Sequence, residues 1–195
     1  PGPVVDYDYT PDGNGGVYFK AAGNTALTDR ELWKSDGTTA GTILVKDIYP
    51  GTNTSELDGG TKTVINGILY FTASDPNFGK ELWRSDGTAA GTYMVKDIYP
   101  GNFLSSEAFI IGVAGNTIYL QATTPGYLRE LWKSDGTEAG TVLVKDIYPG
   151  VSGSGTPGNY PFFYSFSYGI NLLFQATTAS TGIELWKTDG TETGT

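Results

Sequence analysis

The stretch ELWKSDGTTAGTILVKDIYPG (31–51) occurs twice more with few changes, as ELWRSDGTAAGTYMVKDIYPG (81–101) and ELWKSDGTEAGTVLVKDIYPG (130–150). A fourth copy, ELWKTDGTETGT (184–195), stops partway. The glutamates that open the four copies are 50, 49 and 54 residues apart. Self-similarity at such a period indicates a repeat architecture, in which each unit is one supersecondary element. The 195 residues therefore form a single repeat domain with units at 1–49, 50–99, 100–148 and 149–195.

Each unit contains short apolar segments that turn signals separate. In the second unit they are TKTVIN (61–66), LYFTA (69–73), ELWRS (81–85) and TYMVKDI (92–98), with Asn-Gly and Ser-Asp-Gly-Thr turns between them. Such turns are typical of β-hairpins. Residues 68–71 are all apolar, without alternation, which indicates a strand covered on both faces. We therefore predict an all-β protein, a β-propeller of four four-stranded units. The alternatives are a stacked-sheet repeat array and part of a larger propeller.

The composition excludes several classes of function. Twelve Lys and Arg residues face 21 acidic ones, a net charge of −9, which argues against nucleic-acid and anionic-membrane binding. The absence of cysteine and histidine excludes disulfides, Cys/His zinc sites and catalytic triads with a histidine base. No apolar run reaches the roughly 18 residues that a membrane-spanning helix needs. We predict no nucleic-acid partner and no membrane insertion.

Most of the repeated polar and aromatic residues are predicted to serve the scaffold. The aspartate of the Ser-Asp-Gly-Thr turn accepts backbone N–H bonds, and the glycine supplies the positive φ of a tight reversal. The tryptophan packs against the neighbouring unit, and the glutamate two residues before it binds a lysine or a backbone donor. Lys-Asp pairs at 46–47, 96–97 and 145–146 predict ion pairs between units. The scaffold residues are Glu31, Trp33, Asp36, Gly37, Glu81, Trp83, Asp86, Gly87, Glu130, Trp132, Asp135, Gly136, Glu184, Trp186, Asp189 and Gly190.

The pattern ELWxSDGTxxGTxLVKDIxPG resembles the ELWxxDGT repeat family, which consists of tandem units in large secreted or surface-exposed bacterial proteins. The match runs through all four units, although the last one is incomplete. The resemblance implies an extracellular or cell-surface location in a bacterium. It implies no reaction, because no catalytic activity or ligand is assigned to the motif itself.

Three functional hypotheses remain. The first is a non-catalytic extracellular repeat module for adhesion or for surface and matrix assembly, whose partners are other copies of itself or further repeats of a longer chain. The second is a lectin-like propeller that binds glycans through variable loops and an aromatic strand face. Its candidate ligand-binding residues are Tyr160, Phe162, Tyr164, Phe166 and Tyr168. The third is a glycoside hydrolase, which needs a pair of carboxylates such as Asp6 and Asp8. We favour the first and predict no enzyme activity.

A calcium site is the one cofactor hypothesis that the acidic residues raise. Asp6, Asp8 and Asp12 match the spacing of the first ligands of an EF-hand loop. However, Pro11 occupies the position where that loop needs glycine, and no glutamate closes it. No firm metal site is therefore predicted.

The fourth unit ends before its TxLVKDI segment, so we expect its fourth strand to be missing. The missing strand leaves a sheet edge available for pairing. A longer parent array, a disordered last strand or strand addition from a neighbouring molecule would each account for it. We favour the longer array, because the chain opens at Pro1 rather than at methionine.

Overall fold

The computed structural model describes residues 4–5, 8–23, 28–57, 62–149, 164–178, 180 and 182–195. All regular elements in these residues are β-strands, and they form four antiparallel sheets, one per repeat unit. The all-β propeller prediction is confirmed, and each sheet is one blade. In the described part of the chain, no helix has the length and hydropathy needed to cross a bilayer.

The strands follow the chain in order, blade by blade. Blade 1 contains β1 (Val4–Val5), β2 (Thr10–Pro11), β3 (Val17–Ala22), β4 (Arg30–Ser35) and β5 (Ile43–Lys46). Blade 2 contains β6 (Thr63–Ile65), β7 (Ile68–Asp75), β8 (Gly79–Ser85) and β9 (Tyr93–Lys96). Blade 3 contains β10 (Phe109–Ala114), β11 (Thr117–Thr124), β12 (Tyr127–Ser134) and β13 (Val142–Lys145). Blade 4 contains β14 (Ser165–Tyr168), β15 (Asn171–Thr178) and β16 (Gly182–Thr188).

Two blades depart from four continuous strands. In blade 1 the first strand is split, because β1 and β2 both pair with β3. Blade 4 has three strands in the described residues, in the order β14-β15-β16, and β16 lies at its edge. The other two blades each contain four strands in sequence order.

The last strand of each complete blade is shorter than the sequence predicts. In blade 1 a register shift lies between Leu32 and Trp33, which pair with Lys46 and Leu44, and β5 ends at Lys46. The next N–H groups do not continue the ladder, because Ile48 donates its N–H to the Glu31 side chain at 2.8 Å. A side chain therefore replaces the neighbouring strand as hydrogen-bond partner.

The hydrophobic core is divided into three clusters, one between each pair of consecutive blades. We call the sheet face turned toward the following blade the forward face and the opposite one the rear face. The forward face of blade 1 carries Tyr18, Leu32 and Val45, which pack on Phe71 and Trp83 of the rear face of blade 2. The same arrangement joins blades 2 and 3, and blades 3 and 4. Among the described residues, no such cluster joins blade 4 to blade 1.

Candidate functional site

The repeated Ser-Asp-Gly-Thr turn is closed by its own side chains. In blade 2, Asp86 Oδ1 accepts the backbone N–H of Thr88 at 2.9 Å and its hydroxyl at 2.7 Å. Gly87 has φ +87°, a conformation that glycine adopts without strain. The hydrogen bonds from Thr88 lower the pKa of Asp86. Asp36, Asp135 and Asp189 make the same pair of bonds.

The turn also receives a lysine from the preceding blade. Lys46 Nζ donates to the carbonyl oxygen of Thr92 at 2.7 Å, and Lys96 Nζ to that of Thr141 at 2.9 Å. Lys145 Nζ donates in the same way to Thr195 in blade 4 at 2.6 Å. Ion pairs were predicted for these lysines, but the hydrogen bonds that the structure gives them go to backbone oxygens of the turn. The turn therefore contributes to blade–blade contact.

The repeated glutamates are buried within complete blades. Glu81 is fully buried, and its two oxygens accept the N–H groups of Ser106 at 2.9 Å and Ile98 at 3.2 Å. Burial raises the pKa of Glu81 to about 7, and the pKa values of Glu31 and Glu130 to about 7. Glu184 of blade 4, which has no fourth strand among the described residues, is instead exposed.

Three of the four tryptophans lie in the blade interfaces. Trp83 is 6% exposed and packs in the cluster between blades 1 and 2, and Trp132 is 8% exposed in the next cluster. Trp186 is partly buried between blades 3 and 4, and Trp33 is partly buried in blade 1. Within the described residues their indole N–H groups have no hydrogen-bond partner, and packing is the contact that the structure gives them.

The forward face of blade 4 differs sharply from that of the other blades. Leu185 is 74% exposed, whereas its equivalents Leu32, Leu82 and Leu131 are fully buried. Its neighbours on the same sheet are also exposed. The three aromatic residues are Tyr164 at 76%, Phe166 at 66% and Tyr168 at 71%. The same face also carries the polar side chains of Gln175 and Lys187, which pair with Leu185 and Leu173.

The alternation in β14 explains why its aromatic residues share one face. Phe166 pairs with Leu173 of β15, while Ser165 and Ser167 point to the opposite face. The two serine hydroxyls donate to backbone carbonyls of blade 3, Ile111 for the first and Val113 for the second. Three of the five residues predicted to bind a ligand therefore lie together on the exposed face. Tyr160 and Phe162 lie outside the described residues.

The loops between the second and third strands lie beside the segments that connect consecutive blades. Ser55 donates its N–H to the Arg30 carbonyl at 3.2 Å, and Phe103 donates its N–H to Asn77 at 2.8 Å. Between blades 1 and 2 these loops border an open cleft of about 500 Å³. The cleft is lined by Lys20, Thr28, Arg30, Thr52, Asn53, Thr54 and Glu56. Sequence reasoning identified the variable loops but not this cleft, because its residues come from separate segments.

The acidic residues near the start of the chain take separate roles. Asp8 forms an ion pair with Lys62. Asp12 Oδ1 accepts the N–H groups of Asn14 at 2.7 Å and Gly16 at 2.8 Å, which closes its own turn. Asp6 lies outside the described residues. The structure thus gives Asp8 a lysine partner 54 residues away and Asp12 the backbone donors of its own turn.

Comparison with known proteins supports the fold. No protein-family model matches the chain, and no curated protein matches it. A puromycin hydrolase S511A mutant, solved in complex with PGG, is 14% identical with a TM-score of 0.54; the match covers 98% of this chain and 27% of that one. Puromycin hydrolase without that mutation matches at 14% identity, a TM-score of 0.53, and coverage of 97% and 27%. TolB from Acinetobacter baumannii is 11% identical with a TM-score of 0.48 and coverage of 91% and 39%.

The chain spans about a quarter of the length of the hydrolases that it matches. At 14% identity, the likeness extends to the fold and not to an activity. The comparisons and the sheet topology together establish that these residues fold as blades of a β-propeller.

Proposed function

We propose that the chain is a non-catalytic repeat module that assembles by blade-on-blade docking. The forward face of blade 4 is the binding surface in this proposal, and its partner is the rear face of a further blade of the same repeat type. The observation that carries the proposal is the exposure of Leu185, at 74%, where Leu32, Leu82 and Leu131 are fully buried in clusters formed by their own fourth strand and by the following blade. Fully burying such a side chain contributes about 1.5–3 kcal/mol.

A second copy of this chain presents a matching surface. The rear face of blade 1 has no preceding blade among the described residues. Leu44 on that face is 43% exposed, while its equivalents Met94 and Leu143 pack against the clusters of the interior interfaces. A forward face that binds a rear face is a head-to-tail contact, which produces rings when the rotation closes and filaments when it does not. Either product suits an assembly role.

The proposed setting is the cell surface or extracellular matrix of a bacterium. This part rests on the resemblance of the repeat to the ELWxxDGT family. Adhesion or matrix assembly is the role that a self-docking blade array would serve there. If the same repeat continues in a longer parent chain, the next blade of that chain would cover the forward face in place of a second copy.

A lectin-like function is the second candidate, because three exposed aromatic residues share one sheet face. Aromatic rings in such a row offer stacking surfaces for sugar rings. The two candidates differ in what covers the rings: another blade in assembly, a glycan in recognition. Glycan binding that is lost in Tyr164→Ala while the solution mass stays unchanged would favour the lectin and contradict docking at this face.

Cysteine cross-linking tests the proposal directly, because the chain contains no natural cysteine. In the interior interfaces, Leu32 shares a cluster with Met94, and Leu82 shares one with Leu143. The equivalent pair between two copies is Leu185 and Leu44. We expect a mixture of Leu185→Cys and Leu44→Cys chains to form a disulfide-linked heterodimer under mild oxidation.

The matched control is Phe103→Cys, because Phe103 is 80% exposed but lies in the segment that connects blades 2 and 3. A mixture of Phe103→Cys and Leu44→Cys should cross-link much more slowly than the test pair. Equal rates for the two mixtures would show that the contact is random collision, and the docking proposal would then be wrong.

A further inference from the structure

Three carboxylates meet where blade 1 turns toward blade 2. Asp29 lies just before β4, Glu31 lies in β4, and Asp47 follows the end of β5. One oxygen from each of the three lies within 4.8 Å of the others. These residues differ from Asp6, Asp8 and Asp12, which the sequence suggested as calcium ligands. Asp47 follows the register shift between Leu32 and Trp33 and the early end of β5 at Lys46, and this places it beside the other two carboxylates.

One oxygen of the buried glutamate in this cluster has no partner. Glu31 is 2% exposed; its Oε2 accepts the Ile48 N–H, but its Oε1 accepts no hydrogen bond. Asp29 Oδ1 is also buried without a partner. A buried anionic oxygen without a donor or cation carries a large desolvation cost. Protonation of Glu31 or a bound cation would offset this cost, and the two further carboxylates beside it favour a cation.

In blade 2 the equivalent glutamate oxygen has a hydrogen-bond donor, and there is no third carboxylate at the position of Asp29. There Glu81 Oε1 accepts the N–H of Ser106 at 2.9 Å. In blade 1 the equivalent N–H, from Ser55, is donated to the Arg30 carbonyl at 3.2 Å instead. Position 79, which corresponds to Asp29, is a glycine in blade 2. Blade 1 thus lacks this N–H donor and has an additional acid. In blade 3, Glu130 Oε1 is also without a partner, but position 128 is a leucine, so only blade 1 adds a third carboxylate at this position.

We propose that Asp29, Glu31 and Asp47 form a binding site for a divalent calcium ion. Calcium binds six to eight oxygen ligands at about 2.3–2.6 Å, so two of its ligands lie at most about 5 Å apart. The spacing of the three carboxylates satisfies this limit. Magnesium needs shorter distances and near-octahedral geometry, and zinc prefers nitrogen and sulfur ligands. Asp47 is exposed, which leaves room for water ligands.

Bound calcium would join the start of β4 to the end of β5. Both ends belong to blade 1, next to the loops that line the cleft. The ion would offset two of the three negative charges at this point, in a chain whose net charge is −9. It would therefore stabilise blade 1 and make the thermal stability of the protein depend on calcium.

Calorimetric titration of the chelator-treated 195-residue protein with calcium chloride tests the site. We expect one ion per chain, with a Kd on the order of 10⁻⁴–10⁻³ M, as in extracellular calcium modules. Calcium should raise the melting temperature of the native chain, and magnesium at equal concentration should raise it less. Absence of both calcium heat and a melting shift throughout this range would overturn the proposal.

Two substitutions locate the ion. Asp29→Asn and Asp47→Asn each remove a charged ligand and should weaken calcium binding at least about tenfold, because affinity follows the number of charged ligands. The matched control is Asp146→Asn, the equivalent of Asp47 in blade 3, where position 128 is a leucine. This control should bind calcium like the native chain. Equal binding by Asp29→Asn and the native chain, or three equivalent sites, would contradict the assignment.

Discussion

Leucine-to-alanine substitution at equivalent positions of blades 3 and 4 measures what a fourth strand and a following blade contribute together. Leu131 is fully buried between blades 3 and 4, whereas Leu185 occupies the same position in blade 4 and is 74% exposed. Truncation of a buried leucine to alanine costs about 2–5 kcal/mol, which includes the cavity that it leaves. About a quarter of the Leu185 surface is removed from water, so the loss there is below about 0.8 kcal/mol.

The assay is urea denaturation followed by tryptophan fluorescence, at a protein concentration low enough for monomers. Leu131→Ala should lower the free energy of unfolding by at least about 2 kcal/mol, and Leu185→Ala by less than half of that. At high concentration Leu185→Ala should instead weaken self-association by about 10- to 100-fold, because each tenfold change corresponds to about 1.4 kcal/mol. If the two substitutions cost the same in the monomer, the forward face of blade 4 is not open, and the reasoning fails.

Three further substitutions test the scaffold. Burial raises the pKa of Glu81 to about 7 from its ordinary 4.5, so the folded state binds this proton more tightly than the unfolded state. Stability should therefore fall as the pH rises from about 4.5 to 7. In urea denaturation Glu81→Gln should make this slope shallower without abolishing it, because the pKa values of Glu31 and Glu130 are raised in the same way; an unchanged slope contradicts the assignment. Gly136→Ala should lower the melting temperature more than Gly115→Ala. Both glycines have positive φ, but a Cβ at 136 would lie 2.2 Å from the Tyr70 hydroxyl, whereas a Cβ at 115 has no atom within 4 Å. Equal melting temperatures would show that the contact at 136 is relieved at no cost. Lys96→Met should lower the free energy of unfolding by about 1.5–3 kcal/mol, because it removes the hydrogen bond to a carbonyl of blade 3. The same substitution at the exposed Lys187 should lower it little. Equal losses would argue against the hydrogen bond.

The sequence predicts the local features of this protein well. The period of the repeat predicts the blades, and the Ser-Asp-Gly-Thr turn predicts the hydrogen bonds of Asp86 because its partners lie two residues away. The consecutive apolar residues at 68–71 predict a strand covered on both faces, and Leu69, Tyr70 and Phe71 are buried. These features depend on short-range geometry, so residue type and spacing are sufficient to recognise them.

Features that join distant segments were not predicted. The end of β5 depends on a bond between Glu31 and Ile48, which are 17 residues apart in the chain. The acceptor of Lys46 is a carbonyl of the next blade, whose position depends on how the blades stack. The position of Asp47 beside Asp29 depends on where β5 ends. Residue type alone suggests that these lysines pair with acidic side chains. It does not show which backbone carbonyl of the next blade lies beside each lysine.

The forward face of blade 4 was predicted from the sequence only in part. Alternation of aromatic and serine residues at 164–168 places the aromatic residues on one face, and the structure shows that face exposed. Whether a blade, a glycan or solvent covers it depends on molecules other than the described residues. The repeat aligns Leu185 with Leu131, but only the fold shows that Leu131 is buried while Leu185 is exposed, and this contrast is what favours a blade.

The solution mass of the native 195-residue chain, measured by light scattering over a series of concentrations, tests the docking claim most directly. We predict a species of at least twice the 20.8 kDa chain mass that dissociates on dilution. The variant Leu185→Asp, which places a charge in the forward face of blade 4, should remain a folded monomer at every concentration. A native chain that is a folded monomer throughout the series would contradict the account.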